Sequence, residues 1–268
     1  MNSLLDPAAK LVIAHRGNSA FAPENTLESF QQGLALGADA LEFDVRLSRD
    51  GRAVVIHDPT LERTTDGAGE VSALTVDELQ RLDAGCRFTR DGGRTFPFRG
   101  RGITIPTLET VLSAFPDVTM VVEIKTRDAS AEALRLLSNA GAADRVLIGS
   151  FDDGALAPFR GTAFARSASK RELTRLYARA LVPGGPARLE YQALAIPPRF
   201  RWIPIPVLRL ARMARHAGAV THVWTIDDPA QARRYWAGAV NGIITNDPGT
   251  ILASAGRLAP FRPLSPAA

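Results

Sequence analysis

The sequence predicts an α/β fold, a TIM-type (β/α)8 barrel with a small insertion subdomain over the active-site mouth. Three observations carry that expectation. Eight short runs rich in Val, Ile and Leu alternate with stretches of helical period, those stretches carry start and stop signals, and one long interruption follows an early strand. At 268 residues, with 46% hydrophobic and 22% charged residues, the chain suffices to close such a barrel as a single domain over 1–268.

The strands are expected at 11–15, 41–45, 119–125, 145–149, 162–166, 191–196, 220–226 and 242–245. Asn25 is placed to cap a helix over 26–36 that stops at Gly37. Asp228-Pro229 and Asp247-Pro248 each set a capping carboxylate before a proline at the first helical position. Two further helices are expected at 171–180 and 207–217. The insertion covers about 59–105, where turn-rich sequence surrounds one short helix. Thr75 and Glu78 form a capping box there, and Leu74 can staple to Leu79. Segments that follow a barrel strand usually overhang the active-site mouth. The proline-rich run AIPPRFRWIPIP, 195–206, should overhang it too and is expected to be irregular.

Composition removes several function classes. A single cysteine, Cys86, cannot form an internal disulfide and reads as a small buried residue. Asp6 and Pro7 interrupt the stretch where a secretory signal needs an apolar run, and no run approaches the length of a membrane span. The expected location is therefore the cytoplasm. The net charge is +4, but Lys10, Lys125 and Lys170 are the only lysines and the arginines are scattered. That distribution argues against a nucleic-acid partner and for a mildly basic surface suited to anionic small molecules.

Strand parity locates the chemistry. Residues two apart share a face, so LEFDV turns Glu42 and Asp44 to one side and Leu41, Phe43 and Val45 to the other. Asp50-Gly51 reads as a two-residue hairpin turn, and pairing outward from it sets His57 across from Asp44. In VVEIKT the same parity adds Glu123 and Lys125 to the inner face, and the first strand ends in His15-Arg16-Gly17. Three carboxylates in one cavity repel one another, a conflict that a divalent cation resolves. All-oxygen ligation favours one hard ion, Mg²⁺ or Ca²⁺, over zinc. Arg16 and Lys125 then supply positive charge for a phosphodiester. Trp224 should reach the mouth on the face it shares with His222, and Phe151 follows a strand; each is a candidate for substrate contact, with barrel packing as the alternative.

The motifs HRGNSAFAPENT, LEFDVRLSRDG, VVIHDPTLERTTDGAG, IPTLETVL, VEIK, VWTIDD and GIITNDP occur in an order that resembles the glycerophosphodiester phosphodiesterase family, from Ala14 to about Pro248. The resemblance implies a metal-dependent hydrolase that converts a glycerophosphodiester to glycerol 3-phosphate and an alcohol. Carried over by position, Glu42, Asp44 and Glu123 would ligate the metal, His15 and His57 would act as general acid and base, and Arg16 and Lys125 would bind phosphate. Two other readings compete. One is a phospholipase D- or C-like activity on a (lyso)phospholipid, with weak membrane-surface contact through Phe200 and Trp202. The other is a barrel that binds phosphodiesters or a partner protein without catalysis.

Overall fold

The computed structural model describes residues 2–180 and 188–258. The single-domain expectation over 1–268 also includes 1, 181–187 and 259–268, which lie outside the described residues. The chain begins β1 (Leu11–His15), α1 (Leu27–Ala35), β2 (Ala40–Leu47) and a short β3 (Ala53–Val55), then enters a turn-rich stretch holding α2 (Val76–Leu79). Strand and helix then alternate through α3 (Leu108–Ala114), β4 (Met120–Ile124), α4 (Ala129–Asn139), β5 (Val146–Gly149), α5 (Asp153–Leu156), β6 (Ala165–Arg166) and α6 (Lys170–Arg179). The last part runs β7 (Ala193–Ile196), β8 (Arg199–Phe200), β9 (Ile203–Pro204), α7 (Val207–His216), β10 (Val220–Val223), α8 (Pro229–Trp236), β11 (Gly242–Thr245) and α9 (Pro248–Ser254).

Eight parallel strands make the barrel in the order β6-β5-β4-β2-β1-β11-β10-β7. A parallel bridge from Ser167 to Ala193 brings the two end strands together, and the Ala168 N–H donates to the Ala193 carbonyl at 2.9 Å. Among the described residues, no helix is long and apolar enough to cross a membrane.

Capping explains where the helices start. Asp228 and Asp247 accept from Ala230 and Thr250, each with its proline at the helix start, and Thr75 with Glu78 forms the capping box. The cap of α1 is Thr26, which accepts from the Ser29 N–H, rather than Asn25. Asn25 sits at φ 58° and its amide turns to Asp44, where Nδ2 donates to Oδ2 at 2.9 Å and Oδ1 accepts the Asp44 N–H at 3.4 Å, so its oxygen is not left for the helix. The sixth strand is shorter than expected because Thr162 turns back on Phe159 and takes the Phe164 N–H. The proline-rich run is not wholly irregular: β8 and β9 form a small antiparallel hairpin pairing Arg199 with Pro204 and Phe200 with Ile203. Two-residue strands with an exposed edge tolerate the donor that Pro204 lacks.

Parity divides the core as alternation requires. Leu41, Phe43 and Val45 face outward against α1, where the Phe30 and Phe43 rings lie 5.5 Å apart. Ile13, Val121, Leu147, Val220 and Ile244 fill the barrel beneath the polar mouth, and Leu4 joins them from a 3-10 turn at Ser3–Leu5. That turn closes the floor: Asn2 donates to the Val146 carbonyl at 2.9 Å, and fully buried His222 donates through Nε2 to the Leu4 carbonyl at 3.0 Å. The stretch after β3 has its own apolar cluster, in which Val54, Ile56, Leu61, Val71 and Leu79 meet, with Leu74 packed alongside.

His222 makes stability depend on pH. Burial holds its imidazole down from 6.5 to about 4, and the bond to Leu4 opposes this only in part. The unfolded chain binds the proton near 6.5 and the folded chain does not, so stability is full above 6.5 and falls as pH drops toward 4. The loss is on the order of 3 kcal/mol at most. Thermal unfolding followed between neutral pH and pH 4.5 should show this decline, and His222→Gln, which keeps a donor for Leu4, should make it shallower. An equally steep decline in the variant would assign it elsewhere.

Candidate active site

The C-terminal ends of β1, β2 and β4 place the polar groups together. Parallel register sets His15 beside Glu42 and Asp44 beside Glu123. Glu42, Asp44 and Glu123 each offer a carboxylate oxygen within 4.8 Å of the others. At that separation two unit charges repel by about 3–4 kcal/mol at an effective dielectric of about 20. Lys125 Nζ meets Asp44 Oδ1 at 2.9 Å and Glu123 Oε1 at 3.0 Å, and Arg16 Nε meets Asp44 Oδ2 at 3.1 Å. Two cations among three carboxylates leave one negative charge over.

The pKa directions say where that charge falls. Burial opposes ionisation of Asp44, but Lys125 and Arg16 overcome it and hold the acid down at about 2. Glu42 is pushed well above its ordinary value, first by burial and then by repulsion from Asp44 and Glu123. An oxygen-only donor set with one poorly compensated, buried carboxylate fits a hard divalent cation.

Arg16 reaches this cluster through an unusual backbone. Its φ is 55°, and its N–H donates to the Glu42 carbonyl at 2.7 Å. Gly17 follows at φ 87°, where an added Cβ would lie 2.3–2.7 Å from Ser29, so only glycine lets the loop touch α1. Arg16 also pairs with Glu24 at 2.9 Å.

His15 is held by residues that strand parity does not reveal. Its Nδ1 lies 2.7 Å from Asn246 Oδ1, and the Asn246 amide nitrogen donates to Asp227 Oδ2 at 2.9 Å. Because the carboxylate can only accept, the Asn246 oxygen must face His15, so Nδ1 carries the proton and Nε2 is the free acceptor. His15 Nε2 lies 3.8 Å from Glu42 Oε2. Burial, then Arg16, lowers the His15 pKa to about 4. Asp227 also takes the Asn246 N–H and the Thr245 hydroxyl, each at 2.8 Å.

His57 joins the site by a route different from the expected one. The hairpin register pairs Val45 with Val55, Arg46 with Val54 and Leu47 with Ala53, one residue away from the pairing expected across a two-residue turn. The loop has three residues, 49–51: Gly51 N donates to the Ser48 carbonyl, the Ser48 N–H reaches the Arg52 carbonyl, and Gly51 completes the turn at φ 75°. Asp44 therefore meets Ile56, whose N–H donates to the Asp44 carbonyl at 3.0 Å. His57 lies beyond the end of β3, where the strand alternation no longer dictates its direction. Asp58 holds its Nδ1 at 2.6 Å, and Arg46 Nε donates to its carbonyl at 2.8 Å. A bond to Arg63 keeps Asp58 ionised, at about 2, although burial opposes it. Arg63 in turn grips Glu24 with two bonds of 2.7 Å.

A cavity of about 260 Å³ is lined by His15, Arg16, Glu42, His57, Glu123 and Lys125, with Phe151 and Trp224 on its apolar side. The rings of Phe151 and Trp224 meet at 5.8 Å with an interplanar angle of 64°. Of the candidate catalytic, metal-ligating and substrate-contacting residues read from the sequence, all line this cavity except Asp44, which lies 1% exposed beneath it. Asn25, Asp58, Asn246 and Asp227 join through contacts made only in the folded chain. The signal for Asp58 and Asn246 was present in the HDP and TNDP runs.

The glycerophosphoryl diester phosphodiesterase family model matches residues 15–250. The glycerophosphodiester phosphodiesterase of Caldanaerobacter subterraneus subsp. tengcongensis is 34% identical over 249 residues, covering 90% of this chain and 96% of its own. The crystal structure of a glycerophosphodiester phosphodiesterase from Agrobacterium tumefaciens superposes with a TM-score of 0.74 at 29% identity, covering 91% of this chain and 99% of that one. An Oleispira antarctica phosphodiesterase in complex with the product sn-glycerol-3-phosphate gives 0.74 at 28% identity, covering 92% and 96%. With the barrel closed, the acidic cluster at its mouth and these matches along nearly the whole length, the chain belongs to the glycerophosphoryl diester phosphodiesterase family.

Proposed function

We propose that the protein hydrolyses glycerophosphodiesters to glycerol 3-phosphate and an alcohol, with Glu42, Asp44 and Glu123 holding one divalent cation and His15 and His57 moving the protons. The observation that carries this is the convergence of three carboxylate oxygens within 4.8 Å in a cavity walled by two imidazoles and two cations. A bound Mg²⁺ or Ca²⁺ supplies offsetting charge for the phosphate oxygens as the transition state forms. Arg16 and Lys125, now shared among the carboxylates, are the phosphate-binding groups. Arg16 suits two oxygens at once and Lys125 a single one.

The two histidines are prepared for opposite tasks. His15 enters neutral with Nε2 free and takes a proton from the attacking hydroxyl group. His57, backed by an ionised Asp58, carries the proton that the leaving alkoxide needs. Phe151 and Trp224 provide an apolar wall for the carbon skeleton beside the phosphate. The aromatic wall and the small cavity suit a small-molecule diester. The non-catalytic reading does not explain why both imidazoles have Nδ1 engaged and Nε2 available.

Release of glycerol 3-phosphate from glycerophosphocholine tests the proposal. Chelation with EDTA should abolish turnover and added Mg²⁺ or Ca²⁺ restore it, whereas metal-independent turnover would overturn the cation assignment. His15→Ala and His57→Ala should each lower kcat by about 10²–10⁴-fold. Full activity in either would remove that residue from the proton path.

Asn246→Leu keeps the volume and removes the acceptor that sets the His15 tautomer. It should lower kcat by at least about 10–100-fold, the usual cost of losing a partner that orients a functional imidazole at a metal site, with little change in KM. An unchanged kcat would show that the Asn246–Asp227 pair does not position His15.

A further inference from the structure

His57 and Arg16 reach the barrel mouth from different strands, His57 after β3 and Arg16 after β1, and among the described residues no backbone hydrogen bond joins them. Side chains do. Asp58, Arg63, Glu24 and Arg16 follow His57 in one run of alternating charge. Asp58 divides its oxygens between its neighbours, Oδ1 meeting His57 Nδ1 at 2.6 Å and Oδ2 accepting from Arg63 Nε. The other two nitrogens of Arg63 donate to both oxygens of Glu24 at 2.7 Å, and Glu24 Oε1 also accepts from Arg16 Nη1 at 2.9 Å. All three guanidinium nitrogens of Arg63 are thus engaged across two carboxylates, a geometry that a lysine ammonium does not reproduce.

Both supports of this run rest on fixed backbone. Arg63 stands between Leu61 and Thr65, each fully buried, and the Thr65 N–H and hydroxyl donate to the Leu61 carbonyl at 3.0 and 2.9 Å. Around Glu24, the Thr26 hydroxyl donates to the Pro23 carbonyl at 2.6 Å and the Asn25 N–H to the Arg16 carbonyl at 3.1 Å. Burial opposes ionisation of Glu24, but Arg63 and Arg16 overcome it and keep the carboxyl below its ordinary range. An isolated surface ion pair contributes little, whereas a bidentate pair within a network holds its side chains in one geometry. Asp58 has no other side-chain partner among the described residues, so Arg63 is what fixes the plane of the carboxylate behind His57.

We propose, resting on the hydrolytic role above, that Arg63 and Glu24 are positioning residues, a bridge that holds the His57 imidazole at a set place relative to the Arg16 guanidinium. Neither lines the reaction cavity. Arg63 acts through Asp58 and His57 on proton delivery to the leaving group. Glu24 acts on that step and, through Arg16, on phosphate binding.

Two diesters of glycerol 3-phosphate test this: glycerophosphocholine, whose alkoxide needs a proton as it leaves, and the 4-nitrophenyl diester, whose phenolate leaves without one. Arg63→Met should lower kcat for glycerophosphocholine by about 10–100-fold with little change in KM, and for the nitrophenyl diester by less than about threefold. Arg63→Lys keeps the charge without the fork and should stay about tenfold or more below the native enzyme on glycerophosphocholine. Glu24→Gln should show the same dependence of kcat on the leaving group and should also raise KM for both diesters. An equal loss on both diesters, full activity in Arg63→Lys, or an unchanged KM in Glu24→Gln overturns the bridge. Should Arg63→Met fail to fold, the leaving-group comparison in Glu24→Gln decides. His57→Ala on the same pair separates the bridge from the role on which it rests. A loss there that ignores the leaving group removes the proton-donor role of His57 and the bridge with it. A loss that follows the leaving group in His57→Ala but not in Arg63→Met overturns the bridge alone. No turnover of either diester by the native enzyme overturns the hydrolytic role itself.

Discussion

The barrel mouth is built around the mutual repulsion of three carboxylates. Their oxygens lie within 4.8 Å of one another, two of the three residues are buried, and among the described residues Arg16 and Lys125 are the cations paired with them. Much of the surrounding architecture answers to that excess. Arg16 adopts a left-handed backbone to reach Asp44, Gly17 allows that loop to press against Ser29, and Asn25 gives up a helix cap to donate to Asp44. Such an arrangement is costly to fold, which marks a functional site rather than a core.

The histidines on either side are anchored to different parts of the molecule. His15 is fixed from within the barrel, because Asn246 follows β11 and Asp227 follows β10. His57 is fixed from outside it, through Asp58 and Arg63, the latter in the stretch between β3 and α3. Glu24 links Arg63 back to Arg16, so that stretch is coupled by charge to the cluster it borders. Arg63 is the main partner of the Asp58 carboxylate, so this stretch and the His57 imidazole are held together by charge.

Phe151 divides a polar half of the mouth from an apolar one. On one side it meets Trp224 in the cavity that Arg16 and Lys125 also line, and on the other it faces the side chains of α6 and the β8–β9 hairpin. Strong electrostatics and apolar surface therefore stand side by side at the mouth.

Local patterns sufficed for the fold and for most of the site. Alternation along β2 and β4 puts Glu42, Asp44 and Glu123 on the inner face because side-chain direction in a strand depends on nothing beyond two-residue parity. The helix starts at Asp228 and Asp247 follow from cap chemistry within three residues. Pairing is less local. The Asp50-Gly51 hairpin reads in sequence as a two-residue turn but closes as a three-residue loop, and the Ser48–Asp50 and Asp50–Val76 bonds, the second reaching into the distant α2 helix, accompany it. Asn25 likewise had two uses, and a buried carboxylate 19 residues away decided between them. Asn246 and Asp227 lie more than 200 residues from His15 in the chain, so only barrel closure, which lays β11 against β1, could reveal what orients that imidazole.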